Sequence, residues 1–366
     1  MKYKKQLFPA LFLIFILLFA GCNFPNNSTS AKESPTPSLE DSSYLVIPLT
    51  SGEVSPISAC SYDLLHTVCT IQLYDSVDYD ILNECFALID HYEKMFSRTQ
   101  KDSEVYRINH STDTTFELSE ELADLLQIAL SYAKLTDGAF DMTIAPVSSL
   151  WDFSSLEHKT SAPLPEDIAQ AKELVNYLDV QLHGTTLTFA KQGMQLELGA
   201  IAKGYIADRV KEFLLSKGVN SAIINLGGNV LLVGEKPNGS AFQVGIQKPF
   251  EDRDAVVAAI TELKDCTMVS SGLYERYFYD TNGTFYHHIL DAKTGYPCDT
   301  DLLQVTIICK DSVIADALST SCFVLGLEKG MELINSLPET YAAFITSDGT
   351  LHFSDGFLET IPTRTQ

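Results

Sequence analysis

The chain has 366 residues, of which 45% are hydrophobic and 20% are charged, and this globular composition excludes a wholly disordered protein. Lys and Arg total 25 against 48 Asp and Glu, so the formal net charge is −23. A surface of that sign repels the phosphates of nucleic acids, and we expect no nucleic-acid partner. A phosphate-bearing ligand would need a local source of positive potential, such as a metal ion or a helix N-terminus.

The first residues have the pattern of an export signal. Lys2, Lys4 and Lys5 precede an apolar run, Leu7 to Ala20, which is shorter than the ~20 residues of a comfortable membrane span. Small residues and then Cys22 end the run, which resembles a bacterial lipoprotein signal. We therefore expect residues 1–22 to be a signal peptide ending at a lipidated Cys22, with the protein anchored at the extracytoplasmic face of the cell membrane. A plain signal anchor is the alternative.

Residues 23–53 are rich in Asn, Ser, Thr and Pro, which predicts a disordered polar linker. The ordered domain is expected over residues 54–366, beginning near Val54. If Cys22 carries lipid, seven of the eight cysteines remain, so at least one thiol is unpaired. No Cys-x-x-Cys motif supports a zinc or thioredoxin-type site, and a Cys60–Cys69 bridge stays open.

Hydrophobic periodicity predicts helices and strands without internal repeats through the domain. Helices are predicted over Tyr79–Phe96, Ser119–Leu135 with Ser119 as N-cap, Pro163–Asn176, Ala200–Lys217 and Ser312–Leu325. Strands are predicted over Thr67–Tyr74, Gly193–Leu198, Ala222–Asn225, Val230–Val233, Gln243–Ile246, Thr267–Ser270, Tyr286–Leu290, Gln304–Ile308 and Tyr341–Ile345. Several adjacent strands in a mixed order favour an α+β fold over a doubly wound sheet.

Two glycine-containing segments could approach a ligand closely. In Leu196–Tyr205 a predicted strand enters a glycine turn and a helix begins at once. Free N–H groups at such a helix start attract phosphate, and Lys203 adds positive charge. In Asn225–Asn229 two glycines separate two strands. An ordinary strand–helix junction and a tight hairpin turn are the respective alternatives.

Two further segments carry groups suited to catalysis and to metal binding. A predicted strand delivers the pair His287 and His288 to a loop, and neighbouring residues of a strand face opposite sides, so at most one faces a site. A histidine there could accept a proton from a hydroxyl. Asp316 and Thr320 are four residues apart, on one face of an apolar helix. A buried carboxylate is costly unless it meets a cation, and these oxygens suit Mg²⁺.

Taken in order, these segments resemble the ApbE family of FAD:protein FMN transferases. The likeness runs from about Leu64 to Leu325. It rests on Phe96-Ser97-Arg98 with Asn109, Thr136-Asp137-Gly138-Ala139-Phe140-Asp141, Ala202-Lys203-Gly204-Tyr205, Gly227-Gly228, His288-Ile289-x-Asp291-x-x-Thr294-Gly295 and Ala315-Asp316-Ala317-x-x-Thr320. His66 stands where the family usually has glycine, and Asn229 where it commonly has Asp.

The resemblance implies a two-lobed, T-fold-type α+β architecture with a flavin cleft between the lobes. It implies FAD as substrate and Mg²⁺ as cofactor, with FMN transferred to a threonine hydroxyl and AMP released. The acceptor would be a flavoprotein of a membrane or extracytoplasmic redox system. His288 would be the catalytic base, and the metal would be held by the Ala200 carbonyl, Asp316 and Thr320. Matching flavin-contacting positions are Leu65, Phe96, Ser97, Arg98, Asp141, Lys203 and Ile289.

Two other functions are compatible with the same residues. A magnesium-dependent FAD pyrophosphatase would use water in place of the acceptor hydroxyl and give FMN and AMP. A flavin-binding lipoprotein without enzymatic activity would retain FAD and would need neither Asp316 nor Thr320.

Overall fold

The computed structural model describes residues 44–50, 56–153, 161–251 and 257–366. The described residues belong to one compact unit, Ser43–Gln366. The predicted signal peptide, the lipidation site at Cys22 and most of the predicted linker lie outside the described residues. Among the helices that are described, none combines the length and the apolar character needed to cross a membrane.

The secondary structure contains both strands and helices throughout the unit. The strands are β1 (Ile47–Pro48), β2 (Ile57–Ser61), β3 (Cys69–Leu73), β4 (Thr115–Glu117), β5 (Val180–His183), β6 (Thr186–Phe189), β7 (Ser221–Leu226), β8 (Asn229–Gly234), β9 (Phe242–Gln247), β10 (Val257–Leu263), β11 (Thr267–Gly272), β12 (Tyr277–Tyr279), β13 (Phe285–His287), β14 (Leu302–Cys309), β15 (Tyr341–Thr346), β16 (Leu351–Phe353) and β17 (Thr363–Thr365). The helices are α1 (Asp80–Phe96), α2 (Glu104–Asn109), α3 (Glu120–Leu135), α4 (Ala145–Trp151), α5 (Pro165–Lys172), α6 (Ala202–Ser216), α7 (Ser312–Asn335) and α8 (Phe357–Thr360).

A nine-stranded antiparallel sheet organises the fold, in the order β1-β2-β3-β7-β8-β11-β14-β15-β16. Smaller sheets have the orders β4-β6-β5, β17-β10-β9 and β12-β13. Helices α6 and α7 pack together and against strands of the large sheet, and α1 packs on α6. This arrangement confirms the α+β class. The first strand, β1, also lies ahead of Val54, where we expected the ordered domain to begin.

The large sheet carries apolar side chains on both faces. Leu231 and Leu232 are neighbours in β8, and neighbouring side chains of a strand point to opposite faces. Leu231 packs in the core formed with α1 and α6, whereas Leu232 packs with Phe242 of β9. The sheet therefore lies between a helical layer and the small β9–β10–β17 sheet, which explains why its strands are nearly continuous apolar runs.

Most of the predicted long elements are confirmed. The helices over α1, α3 and α6 lie within a few residues of the predicted bounds, and the Ser119 hydroxyl accepts the N–H of Leu122 at 3.3 Å as an N-cap should. Helix α7 continues past its predicted end at Leu325: Gly326 interrupts it with a left-handed φ of 78°, and the helix then resumes and ends at Asn335.

The strand predicted over Gly193–Leu198 is wrong, and the reason is a side chain. Leu196 pairs with no strand, because the side-chain amide of Asn109 occupies the position of a neighbouring strand. The Asn109 side chain accepts the N–H of Leu196 at 2.7 Å and donates to its carbonyl at 2.9 Å. An amide side chain thus supplies both hydrogen bonds that a neighbouring strand would supply.

The register of β2 and β3 decides whether Cys60 and Cys69 can form a disulfide bond. Cys60 of β2 pairs with Thr70, and Cys69 of β3 pairs with Ser61, so Cys60 and Cys69 face opposite sides of the sheet. They cannot form a bridge in this fold, and all the cysteines of the described residues are free.

Candidate functional site

Helices α6 and α7 meet at their N-terminal turns, where a glycine is required. A Cβ atom added at Gly204 would lie 2.2 Å from the carbonyl oxygen of Ser312, which is backbone and cannot move aside. The absence of a side chain at Gly204 therefore lets the first turn of α6 contact the first turn of α7. This contact sets the position of Asp316, one turn further along α7.

The Asp316 carboxylate is buried at the start of α6. Its side chain is 3% exposed, and its Oδ2 accepts the backbone N–H of Gly204 at 2.9 Å. Burial raises the pKa of Asp316, while the Lys203 ammonium and the N–H groups of Gly204 and Lys203 lower it. The chain thus places a buried carboxylate at the N-terminus of α6, next to Lys203 in sequence.

The same hydrogen bond changes the environment of the Ala200 carbonyl. In an α-helix the N–H of Gly204 would donate to the carbonyl four residues earlier, which is that of Ala200. Here this N–H is given to Asp316, so the Ala200 carbonyl does not receive it. A carbonyl without its helical donor and a buried carboxylate at the same helix start are oxygens of the type that a hard cation binds.

Thr320 supplies a third oxygen on the same face of α7. Its Oγ1 is 3.5 Å from the Ser271 hydroxyl, which is in turn 2.7 Å from that of Ser319. The residues Ala200, Asp316 and Thr320 thus fit a Mg²⁺ ion in ligand type, with a carbonyl, a carboxylate and a hydroxyl. Within the described ranges no cluster of three or more His, Cys, Asp or Glu could hold a metal. A cation at Asp316 would therefore need further oxygens from its ligand.

His288 lies directly after the β12–β13 hairpin and is half-buried. Its ring Nδ1 is 3.2 Å from the carbonyl oxygen of Arg276, which also accepts the His288 backbone N–H at 3.1 Å. A carbonyl oxygen can only accept, so this contact places the proton on Nδ1 and leaves the Nε2 lone pair available. Burial lowers the pKa of His288, and the charge of Arg276 lowers it further, so the ring is neutral at pH 7.

The neighbouring His287 is the last residue of β13, which ends there and not at Leu290 as predicted, and its side chain packs against α7. It is 6% exposed, and its ring lies 6.0 Å from that of Phe323. Its Nε2 is 3.3 Å from the Cys298 carbonyl, and its Nδ1 accepts the N–H of Ile289 at 3.3 Å. His287 therefore holds the backbone of Ile289 in place, and the pair of histidines is not a metal site.

Lys203 connects the metal candidates with the base. Its positive charge lowers the pKa of Asp316 and also contributes to lowering that of His288. The ring of His287, next to His288, lies 6.0 Å from that of Phe323 in α7, and Ile289 packs in one apolar cluster with Ala315 and Leu318. The segment that carries His288 therefore packs against α7, the helix that carries Asp316.

Arg98 has a role that the sequence did not show. Its Nε forms an ion pair of 2.5 Å with Glu197, and its Nη1 donates to the Ser149 hydroxyl at 2.9 Å. Glu197 accepts the N–H of Gly199 at 3.2 Å and so supports the turn that presents the Ala200 carbonyl. Sequence reasoning missed Glu197, because we assigned it to a strand; its place directly before the Gly199–Ala200 turn is the signal that could have found it.

Helix α1 positions the expected flavin contacts Leu65, Phe96 and Ser97. The buried Glu93 of α1 accepts the N–H of Leu65 at 3.0 Å, which holds Leu65 in the left-handed region at φ 54°. Phe96 packs between the rings of Tyr92 and Tyr205, with centroids 5.6 Å away in each case. Ser97 ends the helix, and its hydroxyl accepts the N–H of Gln100 at 3.1 Å.

Asp141 lies on the wall of a cavity of about 360 Å³, but its carboxylate is already occupied. Oδ1 accepts the N–H and hydroxyl of Thr143 at 2.8 and 2.6 Å, and Oδ2 accepts the N–H of Tyr177 at 2.9 Å. Burial raises the pKa of Asp141, and these hydrogen bonds oppose the shift. Ala292, in the loop after His288, lines the same cavity, as do Asp137, Gly138, Asn176, Tyr177 and Lys293.

Comparisons with known proteins show the family to which this chain belongs. The model of the ApbE family matches residues 65–345. The chain is 38% identical over 281 residues to a FAD:protein FMN transferase of Klebsiella pneumoniae (strain 342), covering 76% of this chain and 85% of that protein. It is 32% identical over 318 residues to a FAD:protein FMN transferase of Treponema pallidum (strain Nichols), covering 81% and 87%.

Solved structures of ApbE proteins have the same fold as this chain. The crystal structure of the ApbE protein from Thermotoga maritima superposes with a TM-score of 0.75 at 29% identity, over 86% of this chain and 98% of that chain. The flavin transferase ApbE from Vibrio cholerae superposes with a TM-score of 0.72 at 25% identity, over 86% and 99%. With the family's sequence pattern and its fold both present, this chain belongs to the ApbE family.

Proposed function

We propose that this protein transfers FMN from FAD to a threonine hydroxyl of an acceptor flavoprotein in a magnesium-dependent reaction that releases AMP. The relatives named FAD:protein FMN transferase support FAD as the donor and a protein as the acceptor. The observation that carries the proposal is the 2.9 Å hydrogen bond from the Gly204 N–H to Asp316, which joins a buried carboxylate to the helix start that contains Lys203.

The metal would be held by the Ala200 carbonyl, the Asp316 carboxylate and the Thr320 hydroxyl. When bound, Mg²⁺ would neutralise the diphosphate of FAD and polarise the phosphorus under attack. Lys203 and the N-terminus of α6 add positive potential beside it. In a protein with a net charge of −23, this local concentration of positive charge is what allows a dianionic diphosphate to bind.

The reaction needs one proton acceptor, and His288 is suited to that role. The threonine oxygen of the acceptor forms a bond to the phosphorus of the FMN moiety, and the anhydride bond to AMP breaks. The threonine proton passes to Nε2 of His288, and AMP leaves with the electron pair of the broken bond. The Nδ1 contact with the Arg276 carbonyl keeps the ring in the tautomer that this transfer requires.

The experiment that tests the proposal is incubation of the purified protein with FAD, Mg²⁺ and a flavoprotein acceptor domain, with the Thr→Ala form of that domain as control. Flavin fluorescence that stays on the denatured acceptor, and is absent from the Thr→Ala form, supports transfer. Free FMN plus AMP without labelled acceptor would indicate a FAD pyrophosphatase instead. Intact FAD throughout would indicate a flavin-binding protein without activity.

We also propose that lipid on Cys22 anchors the protein at the extracytoplasmic face of the cell membrane, where a redox flavoprotein could serve as acceptor. The motif at Phe19-Ala20-Gly21-Cys22 supports this proposal. A Cys22→Ala variant should leave the membrane fraction and lose incorporation of labelled palmitate. Retention of both label and membrane association in that variant would disprove the anchor.

A further inference from the structure

The N-terminus of α7 is capped by a residue of another helix. Asp208 of α6 accepts the N–H of Ser312 with Oδ1 at 2.9 Å and the N–H of Val313 with Oδ2 at 2.8 Å. Asp311, which occupies the N-cap position of α7, makes no capping hydrogen bond with its side chain. The local sequence offers an ordinary capping carboxylate, yet the structure uses one from α6 instead.

This cap completes a reciprocal arrangement between the two helices. Asp316 of α7 binds the N–H of Gly204 in the first turn of α6, and Asp208 of α6 binds the first turn of α7. Each helix therefore fixes the start of the other with a carboxylate. The two contacts lie one turn apart on each helix, so they determine both the separation and the rotation of α6 relative to α7 at the metal candidates.

The side chain of Ser312 is held as well. Its hydroxyl donates to Oδ1 of Asn229 at 2.7 Å and accepts from the Thr267 hydroxyl at 3.1 Å. Asn229 is 1% exposed, and its Nδ2 has no partner among the described residues. Three elements, α6, β8 and β11, thus converge on the first residue of α7, which is more than an ordinary helix start needs.

The Asp208 carboxylate is not an obvious source of stability. Burial raises its pKa to about 6, although the N–H groups of Val313 and Ser312 favour the charged form. Because the folded-state pKa is above the ordinary value of 3.8, the contribution of Asp208 to the unfolding free energy falls as the pH rises from about 4 to 6. The role of this buried carboxylate therefore follows from its geometry: its two hydrogen bonds, to the N–H groups of Ser312 and Val313, fix the first turn of α7 on α6.

We propose that Asp208 is a positioning residue for the transfer reaction, which fixes α7 so that Asp316 and Thr320 face the Ala200 carbonyl. The inference rests on the metal site of the proposed function. It assigns no contact with substrate to Asp208, which acts only through the first turn of α7.

Asp208→Asn tests the proposal, with Asp311→Asn as the matched control. Both substitutions remove one negative charge at the start of α7. Only Asp208→Asn also removes a capping hydrogen bond, because its NH₂ group would face a backbone N–H and cannot accept it. In Asp208→Asn we expect the half-saturating Mg²⁺ concentration for FMN transfer to rise at least ~10-fold, the loss typical when the support of a metal ligand is removed. The rate at saturating Mg²⁺ should recover to within about 2-fold, and Asp311→Asn should match the wild type.

Hydrogen exchange on the metal-free protein gives a readout that does not depend on activity. Peptides covering residues 200–206 and 312–318 should exchange faster in Asp208→Asn and unchanged in Asp311→Asn. If Asp208→Asn folds poorly, Asp208→Glu keeps the charge but shifts the carboxylate from the two N–H groups, and it should show the same raised Mg²⁺ requirement.

Two results would overturn the inference. One is an Asp208→Asn protein whose Mg²⁺ requirement equals that of the wild type. The other is a rate that is lowered equally at every Mg²⁺ concentration, since this would show general loss of folded enzyme. A wild-type protein that transfers FMN without Mg²⁺ would instead disprove the metal site, and with it the proposed function on which the role of Asp208 rests.

Discussion

The carboxylate of Asp316 accepts the backbone N–H of Gly204 across 2.9 Å, so a residue of α7 caps the first turn of α6. This bond has two consequences for the site. It stabilises a buried charge that would otherwise be costly, and it leaves the Ala200 carbonyl without its helical donor. Two oxygens that suit a cation are thus prepared by a single hydrogen bond.

Replacing Asp316 with Asn should separate the metal-binding role from the structural one. The amide oxygen can still accept the N–H of Gly204, so we expect the free energy of unfolding to change by less than about 1 kcal/mol. The negative charge is lost, and the FMN-transfer rate at saturating FAD should fall by about 10²-fold or more. Urea denaturation and the acceptor fluorescence assay measure the two quantities. An EDTA-treated Asp316→Asn protein that retains wild-type activity would contradict the metal assignment.

Gly204→Ala should be far more damaging than a helical glycine substitution usually is. The new Cβ would lie 2.2 Å from the Ser312 carbonyl oxygen, a backbone atom that cannot rotate away. We expect a loss of about 3 kcal/mol in unfolding free energy, at the upper end for overpacking. Gly330→Ala in α7 is the comparison, because its Cβ would lie 3.0 Å from the Cys322 carbonyl oxygen, a tight contact that a shift of a few tenths of an ångström relieves, and we expect a smaller loss there. Equal stability of both variants would show that the α6–α7 contact is loose.

The pH dependence of the rate tests His288 as the base. The pKa of His288 is lowered by burial and by Arg276, so the ring should stay neutral below the ordinary histidine value of 6.5. The acid limb of the rate profile should therefore lie below pH 6.5, with little loss of rate between pH 7.5 and 6.5. His288→Gln should reduce the rate by about 10² to 10⁴-fold while FAD binding, followed by flavin fluorescence, is retained. Loss of FAD affinity in that variant would indicate a binding role instead.

His66→Gly should stabilise the protein, which is unusual for a glycine substitution. His66 is exposed and has a left-handed φ of 53°, a conformation that costs a non-glycine residue about 1 to 2 kcal/mol. Glycine offsets part of this gain because it loses more conformational entropy on folding. We therefore expect the free energy of unfolding, measured by urea denaturation, to rise by up to about 1 kcal/mol. His183→Gly, at an exposed position in β5, should lose stability. A loss in both variants would mean that the His66 side chain makes a stabilising contact.

The sequence was informative where local pattern decides structure. The helices with a continuous apolar stripe, α1 and α3, were predicted nearly to the residue, and the Ser119 cap was correct. Short elements such as β4 and β17 were missed, because three residues give no periodicity. The strand predicted before Gly199 failed because a distant side chain, Asn109, replaced a strand partner, and no local signal reveals such a substitution.

In the candidate site, too, some features follow from local sequence pattern and others depend on tertiary packing. Asp316 and Thr320 could be placed on one face from their spacing alone. The ion pair of Arg98 with Glu197 could not be predicted, because nothing in their spacing brings them together. Contacts of this kind depend on tertiary packing, as does the cap that Asp208 provides for α7.

The most direct measurement is a crystal structure of the protein with FAD and Mn²⁺ in place of Mg²⁺, examined by anomalous scattering. Our account predicts a peak at coordination distance, about 2.1 to 2.2 Å, from the oxygens of Ala200, Asp316 and Thr320. The same ion should contact the diphosphate of FAD. A peak elsewhere, with the Asp316 and Thr320 side chains turned away from the nucleotide, would contradict it.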